Sequence, residues 1–235
     1  MSQKIKERSS VVPRHIAIIP DGNRRWAKEQ GLAASMGHRK AIESVRIKSM
    51  YQAARDKGVQ CITLWGFSTE NWKRSNAEKK VLFEIFEQII DSLRKDLMVD
   101  LVRFIHIGRR DRLPKSLMEK LRDLEEKTKG FDSFTICLAL DYGGRDELLR
   151  ATAKLLESGK EVTEESFGEA LDSSELPELD LIIRTSGEQR LSGFMPFQSV
   201  YSELVFVDKY FPDFSVQDLL GCIESFAGRG RRFGK

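Results

Sequence analysis

A carboxylate, a glycine, an amide and two arginines follow directly after a short apolar run near the start of the chain. The run covers residues 15–20, and the polar residues after it are Asp21, Gly22, Asn23, Arg24 and Arg25, followed by Trp26. An apolar run of this length is typical of a buried strand. Carboxylate oxygens are ligands for hard metal ions, and arginines bind anions. The pattern therefore predicts a strand that leads into a loop for a negatively charged ligand.

The same arrangement recurs four times along the chain. Apolar runs end in polar groups at residues 68–71, 108–110, 141–145 and 184–188. Helical patterns separate these runs, so the order of elements predicts an α/β domain with a mainly parallel central sheet flanked by helices. Ligands of open α/β sheets bind outside the carboxyl ends of the strands. We therefore expect all five polar groups to converge on one site.

Length and composition fit one domain. The chain has 235 residues, 40% of them hydrophobic, which predicts a single domain over residues 13–235 after a flexible tail at 1–12. The 39 basic and 36 acidic residues nearly balance, so the net charge of +3 does not indicate nucleic acid. Three cysteines without paired spacing argue against disulfides and zinc. No apolar signal or spanning segment is evident, which predicts a cytoplasmic protein whose membrane contact is peripheral at most.

Two predicted helices each allow two interpretations. One would open at Gly37, where His38 and Arg39 could help to cradle a phosphate or could form an ordinary solvated first turn. The other carries a long apolar stripe at Val81, Leu82, Ile85, Phe86, Ile89, Ile90, Leu93 and Leu97. Such a stripe belongs to a protein core or walls a hydrophobic tunnel. Periodicity does not separate these two interpretations.

Residues 184–206 combine two arginines, hydroxyls and aromatic side chains in a way that an ordinary core element does not need. This segment looks like a second anion site. Glu203 stands out in an apolar run, because a buried carboxylate usually needs a cation or a metal. The chain has neither a Walker-type loop nor a dinucleotide fingerprint, which argues against nucleotide chemistry. Asp21 is then the leading ligand for Mg²⁺, unless it is simply the turn residue of an Asp-Gly pair.

Taken together, these motifs resemble one enzyme family from His15 to Phe233. They are Asp21-Gly22-Asn23-Arg24-Arg25-Trp26, Gly37-His38, Phe67-Ser68-Thr69-Glu70-Asn71-Trp72-Lys73-Arg74, Tyr142-Gly143-Gly144-Arg145, and Arg184-Thr185-Ser186-Gly187-Glu188 with Arg190, Ser192 and Glu203. The chain resembles the cis-prenyltransferases, the undecaprenyl or polyprenyl diphosphate synthases. The resemblance implies an α/β fold with a hydrophobic tunnel and Mg²⁺-dependent condensation of isopentenyl diphosphate with farnesyl or geranylgeranyl diphosphate, which forms a cis-polyprenyl diphosphate.

The resemblance also implies roles for individual residues. Asp21 would help Mg²⁺ to draw off the allylic diphosphate, and Asn71, with Ser68 nearby, would assist proton removal unless the substrate diphosphate takes the proton. The allylic diphosphate would be held by Gly22, Asn23, Arg25 and His38, and isopentenyl diphosphate by Arg184, Arg190 and Ser192. Further substrate contacts would come from Arg24, Trp26, Glu70, Trp72 and Arg74. Glu203 would contribute to metal binding, either within one chain or across a dimer interface. The tunnel would be lined by Trp65, Phe67, Leu82, Ile85 and Phe86, with Phe134 near its floor.

The chain departs from the family pattern in informative places. Ala34 stands where many bacterial members have an arginine, so Arg24 or Arg39 would have to replace one contact to the allylic diphosphate. The segment Met195-Pro196-Phe197 is also unusual. Pro20 and the Arg24-Arg25 pair look closer to archaeal members and hint at geranylgeranyl diphosphate as primer. Arg229-Gly230 resembles the Arg-x-Gly end that reaches a neighbouring active site in family dimers, which predicts a homodimer.

Rival functions remain within and outside this family. The altered segments leave room for a short-chain synthase or an irregular head-to-middle coupling enzyme. A non-catalytic partner subunit would lack the aspartate motif, which this chain keeps at Asp21. Arg24-Arg25 and Arg231-Arg232 near aromatic residues could serve a nucleic-acid binder. The balanced charge disfavours that reading, and we expect no nucleic-acid partner.

Overall fold

The computed structural model describes residues 12–44 and 47–228, and in this part of the chain six strands form one sheet. Every neighbouring pair in the sheet is parallel. The strand order is β3-β4-β2-β1-β5-β6. The strands are β1 His15–Ile19, β2 Cys61–Ser68, β3 Val102–Ile107, β4 Phe134–Tyr142, β5 Leu181–Arg184 and β6 Glu203–Phe206. The predicted parallel α/β fold is thus confirmed.

Helices connect the successive strands from β1 to β5 and cover the sheet, whereas β5 and β6 are joined by residues 185–202 without a helix. The described residues contain α1 Asn23–Glu29, α2 Ala34–Ser44, α3 Ile47–Asp56, α4 Asn76–Val99, α5 Lys115–Thr128, α6 Gly144–Ser158, α7 Glu164–Ala170 and α8 Val216–Ala227. Two short 3₁₀ helices cover Thr69–Lys73 and Phe211–Asp213. Within the described ranges, no helix is both long and apolar enough to cross a bilayer. The predicted cytoplasmic location stays a prediction.

The predicted helix start at Gly37 is wrong, because α2 begins three residues earlier, at Ala34. Gly37 instead marks the contact between α2 and α1. A Cβ atom at this position would lie 1.9 Å from the backbone oxygen of Asn23, so only glycine lets the two helices approach so closely. His38 therefore lies inside the helix, where its backbone N–H is no longer at a helix start. His38 can contact the site only through its side chain.

Apolar side chains pack on both faces of the sheet. On one face, Ile16, Ile18 and Leu64 pack with the apolar stripe of α4. On the other face, Ala17 and Ile19 pack with aromatic residues that include Tyr142. The alternation along β1 follows from the period of two in a strand. β6 was not predicted, because it is an edge strand of four half-buried residues with a weak apolar signal.

Some predictions are settled and others fall outside the described ranges. Cys61, Cys137 and Cys222 are buried free thiols, as their spacing predicted, and burial raises the pKa of each. The predicted N-terminal tail at 1–12 lies outside the described residues except for its last residue. Arg229-Gly230 and Arg231-Arg232 also lie outside them. The boundaries of the predicted domain stay a prediction.

Candidate active site

Asp21 lies two residues beyond the carboxyl end of β1 and is fixed from the neighbouring strand β5. Its Oδ2 accepts a hydrogen bond of 2.8 Å from Nη2 of Arg184, and its Oδ1 accepts one of 2.6 Å from the backbone N–H of Gly22. Thr185 holds the main chain of Asp21 by accepting from its N–H and donating to its C=O, both at 2.8 Å. The carboxylate is therefore oriented before any ligand binds.

The surroundings keep the Asp21 carboxylate ionised. Partial burial by itself would raise the pKa of Asp21, since burial disfavours the charged form. The hydrogen bonds from Arg184 and from the N–H of Gly22, together with the charges of Arg184 and Arg25, outweigh burial and lower the pKa below its ordinary value. Asp21 thus presents a full negative charge among arginines at neutral pH.

Gly22 adopts a conformation that other residues would not tolerate here. Its φ is +93°, in the left-handed region, and a Cβ atom would lie 2.4 Å from Cδ1 of Tyr210 and 2.9 Å from Cβ of Ser186. Only glycine avoids both the strain and the overlap. The missing side chain lets Tyr210 and Ser186 approach the loop that follows β1, which brings β5 and the segment before α8 to the same place.

Arg25 reaches across to the loop after β5. Its guanidinium donates to Oγ of Ser186 at 2.6 Å and to Oε1 of Glu188 at 2.8 Å, and it lies 3.4 Å from Oδ1 of Asp21. The ring of Tyr210 lies 5.7 Å from the same guanidinium. Glu188 also accepts from Arg190. Glu188 therefore forms ion pairs with both Arg25 and Arg190 in the ligand-free protein. An anionic ligand would have to compete with Glu188 for these arginines.

Arg184 is the most deeply buried cation of the site, with 5% of its surface exposed. Besides Asp21, it donates from Nη1 to Oγ of Ser192 at 2.9 Å and to the backbone oxygen of Arg190. Its Nε is buried without a hydrogen-bond partner among the described residues. Such an orphan donor usually marks a place where a ligand or water binds. Arg184 links the loop after β1 to the segment that carries Arg190 and Ser192.

A polar cavity opens beside Asp21. It is lined by Pro20, Asp21, Gly22, Asn23, Arg24, Arg25, His38 and Arg74. Three of these residues are arginines and one is an aspartate. The charge of Arg24 is only weakly countered, by Glu78 at 3.9 Å, whereas Arg74 pairs with the same glutamate at 3.1 Å. The net charge of the lining therefore favours an anion such as a diphosphate.

Two polar atoms at this cavity are buried without partners among the described residues. They are Oδ1 of Asn23 and Nε2 of His38. Burial, followed by the charges of Arg74 and Arg24, lowers the pKa of His38 to about 4. The imidazole is therefore neutral at pH 7 and can donate one hydrogen bond without adding charge. Asn23 and His38 provide unused hydrogen-bonding capacity at this place.

An apolar cavity continues from the polar one. It is lined mainly by the stripe of α4, namely Leu82, Ile85, Phe86, Ile89 and Leu93, and by Leu64, Phe104, Ile136 and Leu138 of the sheet. Pro20, Asn23 and His38 line both cavities. The two cavities therefore form one site with a cationic head and an apolar body. The α4 stripe serves as core and as cavity wall, since Ile90 and Leu97 pack in the core.

Three predicted tunnel residues lie elsewhere. Trp65 points to the other face of the sheet and stacks on Phe194 at 4.7 Å. Phe67 packs against Phe83 and Trp72 beside the cavity rather than lining it. A β-bulge between Trp65 and Phe67 breaks the alternation of side chains, so these two residues pack on opposite faces of the sheet, while Gly66 lines the cavity with Leu64. Phe134 packs on Tyr51, while Phe104 takes the lining position.

The 3₁₀ helix after β2 carries four other predicted residues near the site. Ser68 caps this helix, and its backbone N–H donates to Oδ1 of Asn71 at 3.1 Å. Glu70 is exposed in its first turn, and the indole of Trp72 donates to Asp141 at 2.7 Å. Asn71 therefore already uses its carbonyl oxygen within the loop. Trp26, by contrast, donates to Asp213 of the second 3₁₀ helix at 3.1 Å.

The expected convergence of all five polar groups is only partly correct. The groups after β1 and β5 meet at Asp21, and Arg74 after β2 reaches the polar cavity. The arginines after β3 turn away, because Arg109 pairs with Asp111 and Arg110 pairs with Glu125. The reason is position, since β3 lies at the far edge of the sheet, with two strands between it and β1. Asp141, the penultimate residue of β4, instead contacts Trp72.

The residues fit a single-carboxylate magnesium site rather than a protein cage. No group of three or more His, Cys, Asp or Glu side chains suited to a metal occurs in the part of the chain that the structure describes. Oδ1 of Asp21 accepts the N–H of Gly22 at 2.6 Å and lies 3.4 Å from the guanidinium of Arg25, so a cation at this oxygen would compete with Arg25 for it. Mg²⁺ often takes one or two carboxylates and completes its shell with phosphate oxygens and water. Asp21 satisfies that requirement.

Glu203 does not share this site within one chain. It opens β6 and is in register with Leu181, which pairs with Ile16 of β1. Ile16 precedes Ile19 by three residues, which separates Glu203 from the Asp21 end of the sheet by about 10 Å along the strand direction. A metal bound by both Asp21 and Glu203 of one chain is therefore excluded by the topology. The version in which Glu203 acts across a dimer interface stays a prediction.

Sequence reasoning missed several residues that build the site. Thr185, Ser186 and Glu188 were seen in the motif but were not assigned a role. Their position in the sequence could have revealed them, since they directly follow the strand that ends at Arg184. Tyr210 and Phe211 gave no such signal, because they lie just before α8 in an aromatic stretch. Phe211 donates its backbone N–H to the C=O of Asp21 at 3.0 Å and also lines the apolar cavity.

Comparison with known protein families gives one matching family model. The model described as "Putative undecaprenyl diphosphate synthase" matches residues 19–234. The chain is 44% identical to an isoprenyl transferase of Thermotoga maritima over 228 residues, which covers 95% of this chain and 97% of the relative. It is 42% identical to an isoprenyl transferase of Aquifex pyrophilus over 226 residues, covering 95% and 96%. These two relatives are bacterial, and the archaeal hint from Pro20 stays a prediction.

Two solved structures of diphosphate synthases are also similar to this chain. The lavandulyl diphosphate synthase from Lavandula x intermedia, solved with dimethylallyl diphosphate, superposes with a TM-score of 0.89 at 33% identity. A probable undecaprenyl diphosphate synthase from Campylobacter jejuni superposes with a TM-score of 0.80 at 32% identity. Each alignment covers 95% of this chain and 99% of the other.

Proposed function

The chain belongs to the undecaprenyl diphosphate synthase family of prenyltransferases, and on that premise we propose that it condenses isopentenyl diphosphate with an allylic prenyl diphosphate, farnesyl or geranylgeranyl, to form a cis-polyprenyl diphosphate. The observation that carries the proposal is the joining of a cationic cavity to an apolar one through Pro20, Asn23 and His38. A prenyl diphosphate has the same division into a charged head and a hydrocarbon tail.

The polar cavity would hold the allylic diphosphate. Arg24, Arg25 and Arg74 provide its positive charge, and the N–H groups at the start of α1 lie beside it. The unpartnered donor of His38 would bind a phosphate oxygen without a change in charge. These groups are in place before the carbon–oxygen bond breaks, so they would stabilise the negative charge that develops on the leaving diphosphate.

Arg184, Arg190 and Ser192 would bind the isopentenyl diphosphate. Arg184 already orients Ser192 and the main chain of Arg190. Arg190 is largely exposed and is held by Glu188, so it can turn to a phosphate when one arrives. The position of Arg184 between Asp21 and Ser192 would place the two diphosphates on adjacent sides of one guanidinium.

Asp21 would hold Mg²⁺ through Oδ1, in place of the Arg25 guanidinium that lies 3.4 Å from this oxygen. When bound, the ion would supply Lewis-acid stabilisation to the departing diphosphate. The bond from the allylic carbon to diphosphate breaks, a carbon–carbon bond forms to isopentenyl diphosphate, and a proton leaves the adjacent carbon to create the new cis double bond. Asn71 is a neutral amide whose oxygen accepts from Ser68. We assign it to orienting the substrate, and a diphosphate oxygen to receiving the proton.

The missing arginine at Ala34 would be replaced by Arg24 rather than by Arg39. Arg24 lines the polar cavity, and its ion pair with Glu78 is long, at 3.9 Å. Arg39 instead faces Glu84 at 3.8 Å. The extra arginine beside Arg25 thus supplies the charge that Ala34 lacks. Affinity for the allylic primer would then depend on Arg24.

We also propose that the chain acts as a homodimer. Leu149 and Leu156 lie one above the other on α6 and are 73% and 74% exposed, and Val200 near β6 is 68% exposed. Exposed apolar groups of this kind favour an interface with another protein surface. A second copy would also bring a Glu203 near a neighbouring site. Sedimentation equilibrium should give twice the monomer mass, and Leu149→Glu should reduce it. A wild-type monomer at micromolar concentration would contradict the proposal.

Irregular head-to-middle coupling is a second candidate. The observation that motivates it is the TM-score of 0.89 to a lavandulyl diphosphate synthase solved with dimethylallyl diphosphate, a short allylic diphosphate. The two reactions differ in their need for isopentenyl diphosphate. Product formation from dimethylallyl diphosphate alone would identify irregular coupling, whereas a strict requirement for isopentenyl diphosphate identifies chain elongation.

The decisive test is a product assay with the full chain. The protein would be incubated with Mg²⁺, labelled isopentenyl diphosphate and, in separate reactions, each of the common allylic primers. We expect incorporation with farnesyl or geranylgeranyl diphosphate and a series of longer products whose new double bonds are cis. Absence of incorporation with every primer would overturn the proposed reaction.

A further inference from the structure

Asp141 is a fully buried carboxylate with an unusual backbone. It is the penultimate residue of β4, its φ is +49°, and its side chain has no exposed surface. It falls at a shift in register, because Phe67 pairs with Leu140 while the next residue, Ser68, pairs with Tyr142. Bulges of this kind turn a side chain in a new direction. Here the bulge turns a carboxylate toward the 3₁₀ helix that follows β2.

The carboxylate joins two elements that are far apart in sequence. Oδ2 of Asp141 accepts from Nε of Arg112 at 2.8 Å, and Oδ1 accepts from Nη2 of the same arginine. Oδ1 also accepts the indole N–H of Trp72 at 2.7 Å. Arg112 comes from the loop between β3 and α5, and Trp72 from the 3₁₀ helix. The paired, two-pronged geometry fixes direction as well as distance.

Trp72 is held on its faces as well as at its N–H. The guanidinium of Arg112 lies 5.3 Å from the ring centroid, and Nζ of Lys79 lies 5.4 Å from it. Phe67 meets the indole edge-on and Phe83 packs against it at a tilt. Such contacts add to burial in fixing a ring. Trp72 is therefore fixed from several directions within a short loop.

We propose that Arg112 and Asp141 are positioning residues for the reaction, acting through Trp72. Trp72 stands between Asn71 and Arg74 in the 3₁₀ helix and its C-cap, and Arg74 lines the polar cavity. Fixing the indole fixes the path of the backbone on both sides of it. The pair thus sets where Asn71 and Arg74 face the substrates. This inference rests on the proposed function of the cavity.

A second ion pair in the same loop allows the positioning role of Arg112 and Asp141 to be distinguished from a general contribution to stability. Arg110, in the same loop as Arg112, makes an equally two-pronged pair with Glu125 of α5. That pair lines a different cavity, together with Arg103, and neither residue is among those that line the polar cavity. Arg110 therefore offers a matched control for the loss of one arginine–carboxylate pair in this loop.

The test compares Asp141→Asn, Trp72→Phe, their double variant and Arg110→Gln. Asparagine tolerates the positive φ of position 141, and phenylalanine keeps the ring while removing the indole N–H. We expect kcat for isopentenyl incorporation to fall about 10- to 100-fold in each of the first two, with little change in KM for isopentenyl diphosphate. The double variant should lose no more than the worse single variant. Arg110→Gln should keep kcat within about two-fold, although it lowers the melting temperature.

The outcomes distinguish this inference from the proposed function. An inactive wild-type chain would overturn the proposed function. An active wild-type chain with kcat unchanged in Asp141→Asn, with fully multiplying losses in the double variant, or with an equal loss of kcat in Arg110→Gln, would overturn the positioning role alone. The indole N–H signal of Trp72 in an NMR spectrum, assigned with Trp72→Phe, should move in Asp141→Asn and stay in place in Arg110→Gln.

Discussion

Nη2 of Arg184 lies 2.8 Å from Oδ2 of Asp21, although the two residues are 163 positions apart in the chain. The parallel pairing of β1 with β5 makes this contact possible, because Ile19 and Arg184 are direct neighbours in the sheet. The bond occupies Oδ2, while Oδ1 accepts the N–H of Gly22 and lies 3.4 Å from Arg25, and both Asp21 and Arg25 line the polar cavity. The site is therefore organised before substrate arrives, which is the condition for efficient electrostatic stabilisation.

Gly22 should be much less tolerant of substitution than a comparable glycine outside the site. In Gly22→Ala, the new Cβ would overlap Tyr210 and Ser186 and strain a φ of +93°. Gly31→Ala is the matched control, because its φ is +68° but nothing lies within 4 Å of the new atom. We expect the control to lose about 1 kcal/mol of unfolding free energy. Gly22→Ala should lose clearly more and should also lose incorporation, as measured by urea unfolding and the product assay. Equal losses of stability would contradict the described packing.

The free energy of unfolding should fall as the pH is lowered from neutrality toward 5. Burial lowers the pKa of His15, His38 and His106 to about 4, from an ordinary value of 6.5. Between these values the unfolded chain binds more protons than the folded chain, so stability is complete above 6.5 and is lost progressively below it. The loss near pH 5 should be roughly 2 kcal/mol for each histidine.

Urea unfolding at several pH values measures how steeply the free energy of unfolding falls between pH 7 and pH 5. His38→Gln should reduce this fall by about a third, since the three histidines have similarly lowered pKa values. An unfolding free energy that is the same at pH 7 and pH 5 would show that these imidazoles are not buried in their neutral form.

Product length should depend on Leu93 and not on Leu97. Both residues lie one turn apart on α4 and are almost fully buried, but only Leu93 lines the apolar cavity. Leu93→Phe would fill the deep part of the cavity, so we expect shorter products with a nearly unchanged rate of the first addition. Leu97→Phe carries a similar overpacking penalty of about 1–3 kcal/mol. Its products should keep the wild-type length, and equal shortening in both variants would show that the chain grows elsewhere.

Arg24 should matter more than Arg39 for the allylic primer. Removing a charged hydrogen bond costs about 1.5–3 kcal/mol, and the lower end applies here because Arg24 is 60% exposed. Arg24→Ala should therefore weaken primer binding about 10-fold. Arg39→Ala should change it little. Binding of farnesyl diphosphate, measured by isothermal titration calorimetry, decides between them, and a larger loss in Arg39→Ala would reverse the assignment.

The sequence predicted the parts of the site that depend on chain order. Polar residues after apolar runs mark the carboxyl ends of strands, so Asp21, Arg25 and Arg184 could be placed together without a structure. Apolar periodicity likewise located α4, whose observed bounds are Asn76–Val99. These features follow from the chain itself and from the geometry of parallel sheets.

Other features depend on contacts that no local pattern records. The bulge at Gly66 places Trp65 and Phe67 on opposite faces of the sheet, whereas a regular strand would place both on one face of the tunnel. Gly37 looked like a helix start because its real role, the close approach to Asn23, is a tertiary contact. The separation of Glu203 from Asp21 depends on strand order and register. Strand order also explains why Arg109 and Arg110 do not reach the site.

The most direct test of the account is labelled isopentenyl incorporation in the presence of Mg²⁺ by Asp21→Asn, compared with Asp111→Asn. Both aspartates pair with an arginine, but Asp111 pairs with Arg109 away from the site. The account predicts that Asp21→Asn lowers kcat by about 10²- to 10³-fold with the fold retained, while Asp111→Asn stays within about two-fold of wild type. Incorporation by Asp21→Asn at the wild-type rate would contradict the central claim that this carboxylate acts on the departing diphosphate.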